Sequence, residues 1–211
     1  QGDPLSPYLF LLCVEPLARA IRTDTEIDGI TRNGIEHKLN QFADDTLIFV
    51  DGSEKSMNGV LSILKKFAKC SGLNINYDKS TAHKIGSLIK NDNDYNLTEQ
   101  IRWSDEPIQT LGVKIPIINK EQLYELNYKP RLEKVEAILN QWSKRKLTLQ
   151  GKVCIIRTLA LPQFTYLCSI LPTPHRKHNF GKQVEQLMFN FLWGGKPDKI
   201  KRRVLYNTKE N

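Results

Sequence analysis

The chain has 211 residues, 40% of them hydrophobic and 26% charged, which is enough apolar content for one large core or two small ones and excludes a wholly disordered chain. Its formal charge of +8 is uneven: residues 119–211 carry 18 Lys and Arg against 7 Asp and Glu, whereas residues 1–75 carry 8 against 10. Cys13, Cys70, Cys154 and Cys168 lie too far apart for a zinc motif and read as small buried hydrophobes, and no run of roughly 20 apolar residues suggests a membrane span, so a soluble intracellular chain without a membrane partner is expected.

Ser6 and Pro7 have the order of a helix cap followed by the first helical residue. The apolar spacing of Phe10, Cys13, Val14, Leu17 and Ile21 carries that helix to about Arg22, with Pro16 removing one backbone bond. Strands are expected at residues 29–31, 35–43 and 46–50, with one turn at Asn33-Gly34 and another at Asp44-Asp45. A second helix should run from about Lys55 to Ser71 and stop at Gly72. Residues 74–82 read as a strand, and so do residues 108–115, interrupted by Gly112.

From Asn119 the periodicity turns helical, which places a domain boundary near Pro116. Helices are expected over residues 123–146, 150–161, 164–171 and 178–193, with Pro162 separating the middle two and Gly194-Gly195 ending the last. The fold class is therefore α+β, followed by an all-helical region.

Asp44 and Asp45 stand between Phe42 and the apolar run Thr46-Leu47-Ile48-Phe49-Val50. Adjacent carboxylates repel each other unless a cation neutralises them, and a divalent metal is the natural cation; a plain solvated turn is the competing reading. Upstream, Gln1-Gly2-Asp3-Pro4-Leu5-Ser6-Pro7 is a tight turn feeding a helix N-terminus, which suits close approach of backbone to an anionic ligand. The basic C-terminal half suits phosphates.

Taken in order, QGDPLSP, Phe42-Ala43-Asp44-Asp45, Gly72-Leu73-Asn74-Ile75-Asn76 with Lys79-Ser80, and Leu111-Gly112-Val113 resemble the second half of the reverse transcriptase of non-LTR (LINE-type) retrotransposons. The likeness continues through Leu149-Gln150-Gly151-Lys152-Val153, Trp193-Gly194-Gly195 and Lys199-Ile200. It implies a partial polymerase palm over residues 1–116, an antiparallel sheet with helices, and a helical thumb and post-thumb region over residues 117–211.

By the same resemblance, Asp44 and Asp45 would be catalytic and hold two Mg2+ ions, and Lys79 would sit near the phosphates of the incoming nucleotide. Gln1, Gly2, Pro4, Leu5, Ser6 and Phe42 would line the nucleotide and template pocket, with Phe42 where many reverse transcriptases have tyrosine. Leu111, Gly112 and Val113 would grip the primer, and Lys144, Arg145, Lys146, Lys152 and Arg157 would touch nucleic-acid backbone. The implied partners are an RNA template, a DNA primer and dNTPs.

One departure from the family pattern matters. A third metal-binding aspartate belongs on a strand upstream of QGDPLSP, and no aspartate here has a matching context, so these residues are expected not to polymerise DNA alone. The alternative is a nucleic-acid-binding or structural remnant of a retroelement. Trp103, Trp142 and Trp193 are expected to serve the core more than to stack on bases.

Overall fold

The computed structural model describes residues 2–90, 101–200 and 202. It is mixed helix and small sheets, mostly antiparallel, and divides into two compact units, Gln1–Leu111 and Gly112–Asn211. The division falls in a turn just ahead of Pro116.

The first unit opens with α1 (Ser6–Thr23), whose inner stripe Val14, Leu17, Ala18 and Ile21 is buried. Ser6 is not its cap: Leu5 holds that position, and the Asp3 carboxylate accepts the Leu5 N–H at 2.7 Å. Two hairpins follow. Strand β1 (Ile30–Arg32) pairs with β2 (Ile35–His37), and β3 (Leu39–Phe42) with β4 (Asp45–Ile48). In the first turn Asn33 and Gly34 both have positive φ, 53° and 75°, the backbone that favours an Asn-Gly pair.

Helix α2 (Glu54–Ser71) packs on α1 and ends at Gly72, whose φ of 73° suits a residue without a side chain. Its start is held by side chains. Ser53 accepts the Ser56 N–H, and the fully buried Ser56 hydroxyl accepts the Asp28 N–H at 3.0 Å. Asp51 accepts from both the backbone and the hydroxyl of Ser53. Burial acts to raise the Asp51 pKa, but the hydrogen bonds from Ser53 and Ser56 together outweigh it and hold the carboxyl below the ordinary aspartate range.

Residues 74–82 do not form one strand. Tyr77–Lys79 coil into a 3-10 turn, and only Thr81–Ala82 (β5) enter a ladder, pairing in parallel with β6 (Arg102–Trp103). The Ser80 hydroxyl donates to the Asn76 carbonyl and the Ser80 N–H to the Tyr77 carbonyl, so local bonds satisfy groups that a ladder would have used. The extended stretch expected over residues 108–115 is likewise two strands, β7 (Ile108–Thr110) and β8 (Val113–Ile115). Leu111 and Gly112 turn the chain between them, both at positive φ, 47° and 74°.

The second unit is helical around one core. A π-helical turn, Tyr124–Tyr128, leads into α3 (Lys129–Ser143), and Tyr124, Tyr128, Leu132, Val135 and Leu139 make one buried stripe at helical spacing. Facing it, Ile156, Ala160, Phe164, Leu167 and Leu171 make a second. Phe180, at the start of α6 (Phe180–Trp193), meets the rings of Tyr128 and Phe164 edge-on at centroid distances of 4.9 and 5.5 Å.

Pro162 does not separate two helices as expected. Helix α4 (Leu149–Ile155), a π turn over Ile156–Ala160 and α5 (Pro162–Ile170) form one continuous run. The wide turn, closed by Leu161 N–H donating to the Ile156 carbonyl, displaces the backbone where the proline ring would otherwise strike the preceding turn. The run Leu149–Ile170 is the one stretch among the described residues long and apolar enough to cross a membrane by length and composition, which the sequence reading did not anticipate. Lys152 and Arg157 interrupt it, and its inner face supplies the helical core. Cys13, Cys70, Cys154 and Cys168 are exposed free thiols, against the expectation that they fill the interior.

Candidate active site

The acid pair sits one residue off its expected place. Phe42 pairs with Asp45 across the hairpin, so the two-residue turn is Ala43-Asp44, and Asp45 is the first residue of β4. Ala43 has a φ of 51°, and Asp44 does not share the positive value, the pattern of a turn whose first central position favours glycine. An alanine held there stores roughly 1 kcal/mol of backbone strain.

Asp44 and Asp45 are both exposed, and neither carboxylate has a hydrogen-bond or ion-pair partner among the described residues. Two charged oxygen donors on adjacent residues, uncommitted to any protein cation, suit a hard divalent ion. They are two of the donors such an ion needs, and no cluster of three His, Cys, Asp or Glu occurs among the described residues. On the same face as Asp45, the Phe42 ring is 66% exposed, a large apolar surface beside the carboxylates. The opposite face is tied by Gln41 Nε2 donating to Thr46 Oγ1 at 3.3 Å.

Residues 1–115 match the family described as Reverse transcriptase (RNA-dependent DNA polymerase). The chain belongs to the reverse transcriptase family. The matched span holds the acid-bearing hairpin, α1 with the loop before it, and the Leu111-Gly112 turn.

A relative of this reverse transcriptase is the uncharacterized 149 kDa protein of transposon TX1 from Xenopus laevis, 27% identical over 199 residues. That alignment covers 93% of this chain but 15% of the TX1 protein. An uncharacterized mitochondrial protein of Arabidopsis thaliana is 47% identical over 51 residues, covering 22% of this chain and 42% of that protein. The alignments thus span less than half the length of each relative. The likeness to a transposon protein running beyond residue 115 agrees with the non-LTR lineage read from the motifs.

The other anticipated site residues of the reverse transcriptase fall into three groups. Gly2, Pro4, Leu5 and Ser6 form the exposed entry to α1, with Gly2 at a φ of 89°, while Gln1 lies outside the described residues. Lys79 closes the 3-10 turn with its ammonium exposed. Gly112 leads directly into Val113, which is only 2% exposed and belongs to the core of the second unit.

The basic residues divide by what they already touch. Lys144 and Lys146 are exposed between α3 and α4, and the Arg145 guanidinium lies over the Trp142 ring at 4.5 Å. Arg157 is exposed beside Gln150, Val153, Cys154 and Thr158 on the outer surface of the long helix. Lys152 is different: its ammonium donates to the Leu192 carbonyl at 3.0 Å and lies 5.6 Å from the Phe191 ring. It caps the last turn of α6, a task that sequence reasoning missed because the partner is a backbone carbonyl 40 residues away.

Trp103 and Trp142 each carry a cation over the ring, from Lys84 and Arg145. Trp193 is half-buried, and its Nε1 has no partner among the described residues. A residue that sequence reasoning passed over is Asn127, buried beside the Val113 strand.

Proposed function

We propose that this chain is the palm and thumb portion of a non-LTR retrotransposon reverse transcriptase, an RNA-directed DNA polymerase that extends a DNA primer on an RNA template. The observation that carries the reading is the exposed, unpartnered Asp44-Asp45 pair at the head of a hairpin inside the span that matches the family.

In this reading Asp44 and Asp45 hold Mg2+, which when bound activates the primer 3′-hydroxyl and offsets the charge of the triphosphate. The Phe42 ring packs beside the primer end, keeping the shape of the tyrosine found in many relatives without its hydroxyl. The Lys79 ammonium steadies the nucleotide phosphates and supplies a proton or charge to the departing pyrophosphate. Gly112 admits the primer backbone closely because no side chain stands in the way. Lys144, Arg145, Lys146 and Arg157 neutralise backbone phosphates without reading sequence, so nucleic-acid affinity falls as salt rises. Lys152 joins them only through whatever charge its bond to Leu192 leaves exposed.

In the same reading the 211 residues do not polymerise by themselves, since a magnesium pair needs more donors than the two carboxylates of this turn. Primer extension tests both parts with an RNA template, a DNA primer, dNTPs and Mg2+. The 211 residues alone are expected to give no product, and a longer polypeptide that supplies a third metal-binding aspartate is expected to extend the primer. Silence from the longer polypeptide would refute the polymerase reading. Robust synthesis by the 211 residues would refute the incompleteness.

A further inference from the structure

A primer-gripping turn works only if its backbone is held to a fraction of an ångström, and Leu111-Gly112 cannot do this by itself. It is a two-residue turn at positive φ followed by β8, a strand of three residues. So short a strand takes its position from what it packs against. Val113 anchors it on one side by entering the aromatic core with Tyr124 and Tyr128.

The second anchor is polar. Asn127 is 5% exposed on the same inner face as Tyr124 and Tyr128, a place where an amide survives only if its hydrogen bonds are made. Its Oδ1 accepts the Lys114 N–H at 2.8 Å, and its Nδ2 donates to the Lys114 carbonyl at 2.7 Å and to the Leu123 carbonyl at 3.1 Å. One side chain thus satisfies both backbone groups of a single residue, as a neighbouring strand would. The orientation of the amide follows from its partners, since an N–H needs the oxygen and two carbonyls need the nitrogen.

We infer that Asn127 is a positioning residue for the primer: its amide clamps the backbone of Lys114 and so fixes the Gly112-Val113 segment that meets the primer end. This rests on the reading of Leu111-Gly112-Val113 as the primer grip. Asn127 does not touch primer or nucleotide, and it acts through β8. Aspartate there would point a carboxylate at two carbonyls, alanine would remove the partner of the Lys114 N–H and carbonyl, and glutamine is one methylene too long to address both groups of Lys114.

The test uses the complete polymerase carrying Asn127→Asp, Asn127→Ala or Gly112→Val, with primer-terminus Kd and dNTP KM measured per active molecule after active-site titration. Both Asn127 variants are expected to weaken primer binding at least about tenfold while dNTP KM stays within about twofold, the scale of one or two lost hydrogen bonds. A purely structural role would lower the active fraction and melting temperature but leave Kd per active molecule unchanged, and that result would overturn the inference. If Gly112→Val weakens primer binding and the Asn127 variants do not, this inference falls and the grip reading stands. If Gly112→Val is also silent, the grip reading falls with it. Should Asn127→Asp fail to fold, Asn127→Ser, which keeps a smaller polar group, is read by the same two constants and the same criteria.

Discussion

Replacing Asp44 by alanine in the complete polymerase is expected to lower primer extension by about 10³-fold or more while leaving template–primer binding within about twofold. The asymmetry follows from geometry. Asp44 is a turn residue with an exposed carboxylate and no partner among the described residues, so its removal leaves no buried group unsatisfied and opens no cavity. Folding stability should therefore change by less than about 0.5 kcal/mol, the usual range for surface sites. In the proposed reading the duplex is held instead by exposed basic groups such as Lys144, Lys146 and Arg157, which the substitution does not reach. Single-turnover extension together with duplex titration separates the two effects, and a mutant that extends at the wild-type rate removes the metal assignment.

The largest effect on stability is expected in the helical unit. Leu167 is 1% exposed and lies among Tyr128, Phe164, Leu171 and the other members of the core, so Leu167→Ala removes its contacts and leaves a cavity that neighbouring rings fill only in part. The expected loss is about 2–5 kcal/mol, a large share of the total of about 5–15 kcal/mol typical of a domain. Leu149→Ala is the matched control, because Leu149 is 52% exposed on the same continuous helix and should shift stability by less than about 0.5 kcal/mol. Urea denaturation of the two variants reports the difference directly. Equal midpoints would mean that the long helix is not packed through its Leu167 face.

Apolar spacing made the helices of both units legible in the sequence, because a buried stripe such as Tyr124, Tyr128, Leu132, Val135 and Leu139 is written into the chain at its own period. Gly72 and Asn33-Gly34 were legible for a related reason, since few residue types tolerate positive φ. What local pattern could not reveal was set by competing local bonds or by distant partners. The Asp turn moved by one residue because Ala43, not Asp44, takes the positive φ. The strand expected over residues 74–82 lost most of its length to bonds made by Ser80 and Asn76. Pro162 stayed within a helical run because a π turn precedes it, and nothing in the composition of residues 156–160 announces one.

At the site itself the acid pair, the phenylalanine beside it and the glycine turn were readable as motifs. Lys152 was read as a phosphate contact, yet it also caps α6, because the carbonyl it meets is remote in sequence. Asn127 did leave a trace: a polar residue within an apolar stripe, which calls for a partner that only the fold could name.

The account stands on divalent cations binding at the β3–β4 turn, and paramagnetic relaxation by Mn2+ in backbone NMR spectra of the 211-residue chain addresses it most directly. Millimolar Mn2+ should broaden the amide signals of Phe42 to Thr46 first, and the Asp44→Asn, Asp45→Asn double variant should abolish that selectivity without altering the rest of the spectrum. Broadening that begins elsewhere, or that persists at the turn in the double variant, would contradict a metal-seating role for these carboxylates.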